Sequence, residues 1–463
     1  MNKKLIVLLV SVLFPFVLSS SAEAISLNFS GNFRTDGSLY SKPNLGDAGS
    51  NSTKAFLAGR ALLQPNLVID DHFSLKSQWS LLNSPSFNSI NNGPSLSGGQ
   101  GSYVFGDPNA QALQLSRAWL EWVSDFGVVR VGRMPVQWGY GLIWDAGDGI
   151  WDNYQTTMDR LEYRLHFGHV IGALAYSKGR KTSVLGSEND QDFYSIYLQY
   201  VNPEMDVEAG VIYERQIRSP SQAADFMTGP ANPYAVPAGT PKTGLATKTG
   251  YPLSNNVVDL YVKKTIGYLT LGGEGGWLTG SAMDYNNNGN EDTLNAFGLL
   301  VTAAYEYHNV KGFVDFMYAS GDTSLNSDRL NGFVLLHRNR SPGIILGREL
   351  LGPYNGNSIN QGSLVAYGDA DTFSGAYYVR PGLRVEWAPS WSTGLEVIVA
   401  QKAAVTPNDS AALGVEFDLG ADHSFYKNFD LGVTVGYLIP GAGLRISSPT
   451  GVIGLRTTAS IRF

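Results

Sequence analysis

Apolar and polar residues alternate along most of the chain. Around 205–217, for example, Val207 and Tyr213 share one parity, and Glu208 and Glu214 share the other. Because successive side chains of a β-strand point to opposite faces, this alternation predicts strands with one apolar and one polar face. We predict eighteen such strands, at 25–35, 54–69, 72–82, 111–123, 126–137, 158–166, 169–179, 191–201, 205–217, 255–265, 267–279, 293–307, 310–320, 373–388, 391–403, 411–424, 429–440 and 450–463.

Two kinds of break alternate between the predicted strands. Breaks after odd-numbered strands are long and polar, as at 83–110, 218–254 and, the longest, 321–372. The tight breaks after even-numbered strands fall at or near Asp70–Asp71, Ser124–Asp125, Phe167–Gly168, Asn202–Pro203, Ile266–Gly267, His308–Asn309, Pro389–Ser390 and Tyr426–Lys427. An even strand number with brief turns on one side and long loops on the other is typical of bacterial outer-membrane barrels. The predicted fold is therefore all-β, a transmembrane antiparallel β-barrel of about eighteen strands, with short periplasmic turns and long extracellular loops.

Composition narrows the class of protein. The chain has no cysteine, so it offers neither disulfides nor a thiolate metal site. The net charge of −7 gives no reason to expect a basic face for nucleic acid. Aromatic residues make up 12% of the chain and recur near predicted strand ends. This distribution favours an apolar face toward outer-membrane lipid, with aromatic girdles, over the alternative of a soluble sandwich or propeller.

The first residues have the pattern of a secretory signal peptide. A basic start is followed by an apolar run and by a small-residue exit at 22–24. A transmembrane anchor is the alternative, but Pro15 interrupts the apolar run, which is short for a membrane span. We therefore predict a signal peptide at 1–24 and an outer-membrane barrel at 25–463.

The last ten residues, GLRTTASIRF, alternate strictly and finish on Phe463. Termini usually fray, so a strand in this place needs a partner. In a closed barrel the last strand pairs with the first, which leaves no edge in lipid. The final aromatic also resembles the closing signal of outer-membrane barrel proteins, and this resemblance implies that the barrel-assembly machinery reads Phe463.

The stretch FGVVRVGRMPVQWGYGL at 126–142 resembles the strand-and-loop signature of the alginate-export channels. Together with the strand pattern, it makes the chain similar to the substrate-selective outer-membrane porins. Their eighteen-stranded members include the alginate-export, OprD-like and maltoporin-like channels.

Charged residues of the polar parity are expected to face the lumen. Strands 1–6 and 18 place these cations there: Arg34, Arg60, Lys76, Arg117, Arg130, Arg160, Arg164, Arg456 and Arg462. Strands 9–13 place mostly acids: Asp206, Glu208, Glu214, Asp259, Glu274, Glu306 and Asp315, with Lys263 and Lys311 as exceptions. Walls of opposite charge create an electric field across the lumen, which concentrates charged solutes. A column of arginines lets a carboxylate or phosphate pass from one guanidinium group to the next. Alternatively, Glu121 and Glu162 pair with arginines such as Arg117 and Arg160 and stiffen the wall.

The third external break, 138–159, is unusually aromatic and acidic, with three of the nine tryptophans. Exposed loops rarely carry so much aromatic area. Porins of this class commonly fold the third loop into the lumen, which implies a constriction whose acids face the arginines of strands 4–6. The predicted pore-lining residues are Arg117, Arg130, Arg160, Arg164, Asp145, Asp148, Asp152, Trp144 and Trp151. The alternative is that this loop caps the rim or forms a trimer contact.

One external loop matches the opening of a calcium-binding loop, in which oxygen ligands occupy alternate positions. The candidate ligands are Asp284, Asn286, Asn288 and Asp292. The twelfth position is Asn295 rather than glutamate, so the closing bidentate ligand is missing. An ordinary Asn-Gly turn is the alternative. No other cofactor is predicted.

Two further features argue against catalysis and phosphate-loop binding. The run GGEGG at 272–276 lies inside a predicted strand with no following helix, so it indicates room for a bulky neighbour or a bend. Five of the six histidines fall at or near predicted periplasmic turns, which leaves His337 as the lone candidate base. We predict no enzyme.

The sequence thus predicts a porin for passive diffusion of small hydrophilic solutes, biased to anionic or acidic-sugar substrates. One alternative is a neutral saccharide channel in which the loop aromatics form a slide. Another is a structural or surface-binding barrel plugged by its long loops. A homotrimer is compatible with each of these interpretations.

Overall fold

The structure is a computed structural model. It describes residues 25–41, 53–83, 102–104, 111–152, 155–178, 191–218, 253–282, 292–321, 329–331, 342–346, 375–405, 410–444 and 451–463. The predicted signal peptide at 1–24 lies outside these residues, as does most of the longest external loops.

Eighteen long strands of the described chain form one antiparallel sheet. They are β1 (Ser26–Tyr40), β2 (Lys54–Val68), β3 (Phe73–Asn83), β4 (Gln111–Ser124), β5 (Gly127–Pro135), β6 (Thr157–Phe167), β7 (Val170–Lys178), β8 (Gln191–Asn202), β9 (Val207–Arg218), β10 (Leu253–Ile266), β11 (Leu269–Ala282), β12 (Asp292–Tyr307), β13 (Val310–Ala319), β14 (Ala376–Ala388), β15 (Trp391–Lys402), β16 (Ala412–Phe425), β17 (Phe429–Pro440) and β18 (Val452–Arg462). Two short segments, Ser102–Val104 and Arg329–Leu330, pair with β2 and β12. A single 3₁₀ turn, Ala442–Leu444, follows β17 among the described residues. Within the same ranges, no helix is long and apolar enough to cross a membrane.

The sheet closes on itself through β1 and β18. Their register runs from Asn32 opposite Arg462 to Tyr40 opposite Gly454. The ladder continues to Phe463, whose N–H donates to the Gly31 carbonyl at 3.1 Å and whose carbonyl accepts from Gly31 N–H at 2.9 Å. Neither strand therefore leaves an unpaired edge along this seam. The predicted eighteen-stranded closed barrel is confirmed; recognition of Phe463 by assembly machinery stays a prediction.

The predicted tight turns are confirmed at the ends of the even-numbered strands. Several turns contain a residue in the left-handed region, including His308, Ser390 and Tyr426 at φ of 53°, 69° and 55°. Gly168 and Gly267 take the same conformation at φ of 57° and 58°. A positive φ reverses the chain within few residues, as a tight connection between antiparallel strands requires.

The two faces of the barrel wall differ in polarity. Outward-facing side chains are apolar and accessible, as Leu198, Leu260 and Leu419 at 54%, 55% and 55% exposure show. Inward-facing Arg60 and Glu214 are 1% and 0% exposed. This polarity is inverted relative to a soluble protein and matches a barrel whose outside faces lipid.

Two external connections send segments into the barrel. Loop 3, residues 136–156, joins β5 to β6 and is described except for 153–154. The loop 7 segment, residues 342–346, belongs to the connection between β13 and β14. Both contribute residues such as Leu142, Trp144 and Ile345 to the buried apolar cluster.

Candidate functional site

Loop 3 extends across the whole lumen. Its later part contacts side chains of β1, β2 and β4, and its earlier part contacts β10 and β11. In a ring of eighteen strands, β2 and β11 lie nine strands apart and therefore face each other. Within the loop, the N–H of Trp138 donates to the Trp144 carbonyl at 3.0 Å, which folds the crossing back on itself.

Three buried arginines hold the later part of loop 3. Arg34, Arg60 and Arg117 are 1%, 1% and 2% exposed. Each donates from its guanidinium group to main-chain carbonyls of the loop, including Arg60 to Gly147 at 3.1 Å. The accepting carbonyls belong to Ala146, Gly147, Gly149, Ile150 and Asp152. Hydrogen bonds from a charged group typically contribute about 1.5–3 kcal/mol each, so this wall holds the loop by its backbone.

The three predicted loop aspartates have different partners. Asp148 accepts from Arg117 at 2.8 Å, and its side chain remains 60% exposed. Asp145 accepts from Gly147 N–H at 2.8 Å, and Asp152 accepts from Gly149 N–H at 2.7 Å. The latter two contacts shape the turn of the loop, whereas Asp148 presents its carboxylate to the lumen.

Two buried acids hold the earlier part of loop 3 on the opposite wall. Glu274 of β11 accepts the main-chain N–H groups of Tyr140 and of Leu142, the latter at 3.0 Å. Asp259 of β10 accepts from the indole N–H of Trp138 at 2.8 Å. On one wall, arginines thus donate hydrogen bonds to loop carbonyls. On the opposite wall, carboxylates accept hydrogen bonds from loop N–H groups.

Lumen-facing glycines make room for the loop on the acidic wall. A Cβ at Gly272 would overlap the Tyr140 hydroxyl, and one at Gly276 would lie 2.6 Å from Ile143 Cδ1. These two glycines flank Glu274, so the predicted role of the glycine run, room for a bulky neighbour, is confirmed. Burial, with Glu208 and Glu274 nearby, raises the pKa of Tyr140 to about 12 and keeps its hydroxyl neutral.

The two loop tryptophans differ in access. Trp144 is 1% exposed and therefore presents no ring face to a solute. Trp151 lies against Arg34 and Arg456, whose guanidinium carbons are 5.8 and 5.9 Å from its ring centroid. This geometry fits cation–π contacts that orient the ring beside the basic wall.

Three of the predicted arginines converge on Glu162 of β6. Arg130, Arg160 and Arg164 lie 3.1, 3.0 and 2.5 Å from its carboxylate oxygens. Glu121 accepts from Lys76 at 2.8 Å and lies 3.4 Å from Arg130. We name these six residues the basic cluster: Lys76, Glu121, Arg130, Arg160, Glu162 and Arg164. The predicted pore-lining arginines of β5 and β6 therefore pair with glutamates of the wall. In these contacts, Arg117 is the member of the predicted set that binds the side chain of a loop aspartate.

The loop 7 segment is a lumen feature that sequence reasoning missed. Glu416 of β16 accepts the N–H groups of Ile345 and Leu346 at 2.7 and 2.6 Å. Asp418, two residues along the same strand face, accepts from Ile344 N–H at 3.2 Å. The N–H groups of three consecutive residues thus donate hydrogen bonds to two carboxylates.

Neighbouring strands complete the seat of the loop 7 segment. Tyr40 of β1 donates to the Ile344 carbonyl at 3.2 Å, and Arg380 of β14 donates to the Pro342 carbonyl at 3.3 Å. Cβ atoms at Gly436 and Gly454 would lie 2.7 and 2.9 Å from Ile344 and Ile345 side chains. The sequence signal was the lumen-parity pair Glu416 and Asp418, beside glycines of the same parity on β17 and β18.

The calcium candidates Asp284, Asn286 and Asn288 lie outside the described residues. Asp292 begins β12, but its side chain is likewise outside what the structure describes. Across the described side chains, no group of three or more histidine or acidic residues has a geometry that could hold a metal ion. His337 also lies outside the described ranges.

Comparisons with known proteins agree on the architecture. No protein-family model matches the chain, and no curated protein matches its sequence. OccAB1 of Acinetobacter baumannii superposes with a TM-score of 0.53 at 10% identity, covering 94% of this chain and 96% of that chain. OccK2 (OpdF) of Pseudomonas aeruginosa, in complex with glucuronate, gives 0.52 at 9% identity over 95% of this chain and 98% of that chain. OccK5 (OpdH) of the same organism gives 0.51 at 9% identity over 94% and 98%.

These neighbours show the fold that the strand pattern and inverted polarity had indicated. The barrel wall carries apolar residues outside and charged residues inside, and two loop segments lie in the lumen. The chain therefore has the fold of the OccK and OccAB1 barrels, and its apolar outer wall fits contact with lipid.

Proposed function

We propose that the protein is an outer-membrane channel for passive diffusion of small hydrophilic solutes, with a preference for anionic solutes that include acidic sugars. The observation that carries this proposal is the basic cluster, in which four cations share two carboxylates. Export through the signal peptide at 1–24 is part of the same proposal.

Three cations of the basic cluster lie on the periplasmic side of loop 3. Lys76, Arg130 and Arg164 are each three residues from the periplasmic end of their strand, whereas Arg60 is eight residues from it. Their side chains remain 32%, 11% and 34% exposed. A solute that passes loop 3 from outside meets these cations next.

Excess positive charge in a narrow polar lumen attracts anions. The low-dielectric wall focuses the potential, and guanidinium groups bind carboxylates through paired hydrogen bonds. Because Arg130 lies between Glu121 and Glu162, a solute carboxylate can replace one partner while the other remains. Exchange of this kind keeps binding weak enough for release. The OccK2 complex with glucuronate supports the acidic-sugar class, since that protein shares the fold and binds a sugar acid.

A plugged barrel is the second candidate, favoured by the two segments inside the lumen. The neutral saccharide slide has less support, because Trp144 is buried and Trp151 already stacks with arginines.

Planar-bilayer recording of the purified protein tests the proposal. We expect discrete conductance steps. In a salt gradient, we expect a zero-current potential whose sign indicates anion selectivity. Arg130→Gln combined with Arg164→Gln should move that potential toward cation selectivity, with the effect fading at high salt. Lys264→Gln, on the outer wall near the periplasmic end of β10, is the control and should leave the potential unchanged.

Two outcomes contradict the proposal. Absence of conductance from a correctly folded barrel would favour the plugged alternative. Unchanged selectivity in the double variant, with conductance retained, would show that the basic cluster only stiffens the wall.

A further inference from the structure

The outer wall carries a compact group of charges. Five outward-facing charged side chains occupy five consecutive strands, β5 to β9. They are Arg133, Asp159, Lys178, Asp192 and Arg215. On the eighteen barrel strands, the other outward-facing charge among the described side chains is Lys264, at the periplasmic end of β10. We name the group of five the outer charge row.

Strand register aligns this row. Arg133 pairs with Asp159, Asp159 with Lys178, and Lys178 with Asp192 in consecutive ladders. Arg133 holds both oxygens of Asp159, at 2.8 and 3.1 Å, and Lys178 lies 2.7 Å from Asp192. With Arg215 the row has three cations and two carboxylates. The acids position the cations, and the Arg133 and Lys178 side chains stay 49% and 32% exposed.

Neighbouring tyrosines indicate where the outer charge row lies along the membrane normal. Lys178, Asp192 and Arg215 each lie two residues from an outward-facing tyrosine, on its extracellular side. The tyrosines are Tyr176, Tyr194 and Tyr213. Aromatic girdles sit at the boundary of the hydrocarbon layer. The outer charge row therefore lies at the headgroup level of the external leaflet.

An apolar groove of about 570 Å³ opens on the outer wall between β8 and β12. Its lining includes the small residues Ala209, Gly273 and Gly275 and the larger residues Leu198, Val211 and Leu260. A Cβ at Gly275 would find its nearest neighbours 3.9 Å away, so packing within the chain does not require glycine there. Because the glycines have no side chains, the groove stays open on a surface that faces lipid.

The groove and the charge row share strand β9. Val211 and Arg215 share its outward face and are four residues apart, about 13 Å along a strand. An acyl chain in the groove thus reaches toward the cation at the headgroup level.

We propose that this outer wall binds one phosphorylated lipid of the external leaflet. Its phosphate groups lie along Arg215, Lys178 and Arg133, and an acyl chain fills the groove over Gly273 and Gly275. Guanidinium forks match phosphate oxygens, and the groove gains from burial of the chain. The site faces away from the lumen and is therefore independent of solute passage.

Native mass spectrometry of the full barrel in detergent tests this site, with bisphosphorylated lipid A as the probe and phosphatidylcholine as the comparison lipid. We expect a one-to-one lipid A adduct that survives activation at least tenfold better than the phosphatidylcholine adduct. Arg133→Gln, Lys178→Gln and Arg215→Gln combined should abolish that difference. Lys264→Gln, which removes one outward cation at the opposite membrane face, should leave the lipid A adduct intact.

A second variant tests the groove separately. Gly273→Leu with Gly275→Leu should weaken retention of both lipids while the headgroup cations remain. Heat-modifiable gel mobility checks folding of each variant, and conductance should equal that of the parent because no lumen residue is changed. Equal retention of lipid A by parent and triple variant overturns the proposal. A change of oligomeric state in either variant also overturns it, since this face would then be a contact between copies of the chain.

Discussion

Loop 3 and the loop 7 segment both enter the lumen, but they are anchored differently. Loop 3 is held from opposite walls, by arginines at its carbonyls and by acids at its N–H groups. The loop 7 segment is held within one arc, β14 to β1, and chiefly by Glu416 and Asp418. The difference teaches that one arc of the wall can fix a segment that lies beside it, whereas loop 3 is fixed from two opposite walls, by donors on one and by acceptors on the other.

The shared element is a carboxylate that accepts two main-chain N–H groups. Glu274 does so for loop 3, and Glu416 does so for the loop 7 segment. Both carboxylates are buried, at 1% and 0% exposure. A buried N–H group without a partner costs about 1–3 kcal/mol, so each acid prevents a substantial loss.

Release of loop 3 should require both anchors to be broken. Arg60→Ala and Glu274→Ala as single changes each leave the opposite wall in contact, and we expect a modest rise in single-channel conductance. The double variant should give a rise well above the sum of the two. A double-mutant cycle of conductance measures the coupling. Simple additivity would show that the two walls do not hold one crossing segment.

Release of the loop 7 segment should require only one change. Glu416→Ala leaves the N–H groups of Ile345 and Leu346 unpaired, so it should lower the unfolding free energy by roughly 2–6 kcal/mol. As a single substitution it should also raise conductance by more than Glu274→Ala does. Urea unfolding in lipid vesicles and bilayer recording measure the two effects. A smaller conductance change than that of Glu274→Ala would reverse the comparison.

The glycine seat of loop 3 should tolerate little added volume. Gly272→Ala places a methyl group against the Tyr140 hydroxyl, so we expect a loss of about 1–3 kcal/mol of stability from overpacking. Gly312→Ala, an outward glycine with nothing within 4 Å of the added Cβ, is the matched control. Equal stability of the two variants would mean that Tyr140 moves freely.

The smallest effect is expected at the exposed end of the loop 3 anchor. Asp148→Asn removes the charge of a largely exposed partner of the buried Arg117, but it keeps a side-chain oxygen that can accept the same hydrogen bond. Stability should hardly change, while the zero-current potential shifts slightly toward anions at low salt. An unchanged potential would place Asp148 away from the path of permeating ions.

Much of the fold could be predicted because alternation, turn spacing and strand parity are local properties of the chain. Position 214 faces inward and position 213 outward by parity alone, and the structure agrees, with Glu214 at 0% and Tyr213 at 40% exposure. Closure through Phe463 followed from the need to pair the last alternating stretch.

The candidate site was less accessible to the same reasoning. An arginine that faces the lumen has several partners within reach. Strand parity does not predict that Arg160 forms an ion pair with Glu162 while Arg60 donates hydrogen bonds to loop carbonyls. The loop 7 segment was missed because Pro342–Leu346 is a short apolar stretch without periodicity inside a long polar connection. Its seat becomes visible only when the register places Gly436 opposite Asp418 and Gly454 opposite Gly436.

Main-chain recognition in the lumen has an evolutionary consequence. Glu274 and Glu416 bind amide groups that every residue except proline possesses, so these seats constrain the path of a loop more than its side chains. Loop residues that point into the lumen can then change without loss of the loop's position, within the space that the glycines allow. A barrel of this kind can acquire new solute preferences by exchanging loop side chains while the wall and its docking points are inherited unchanged.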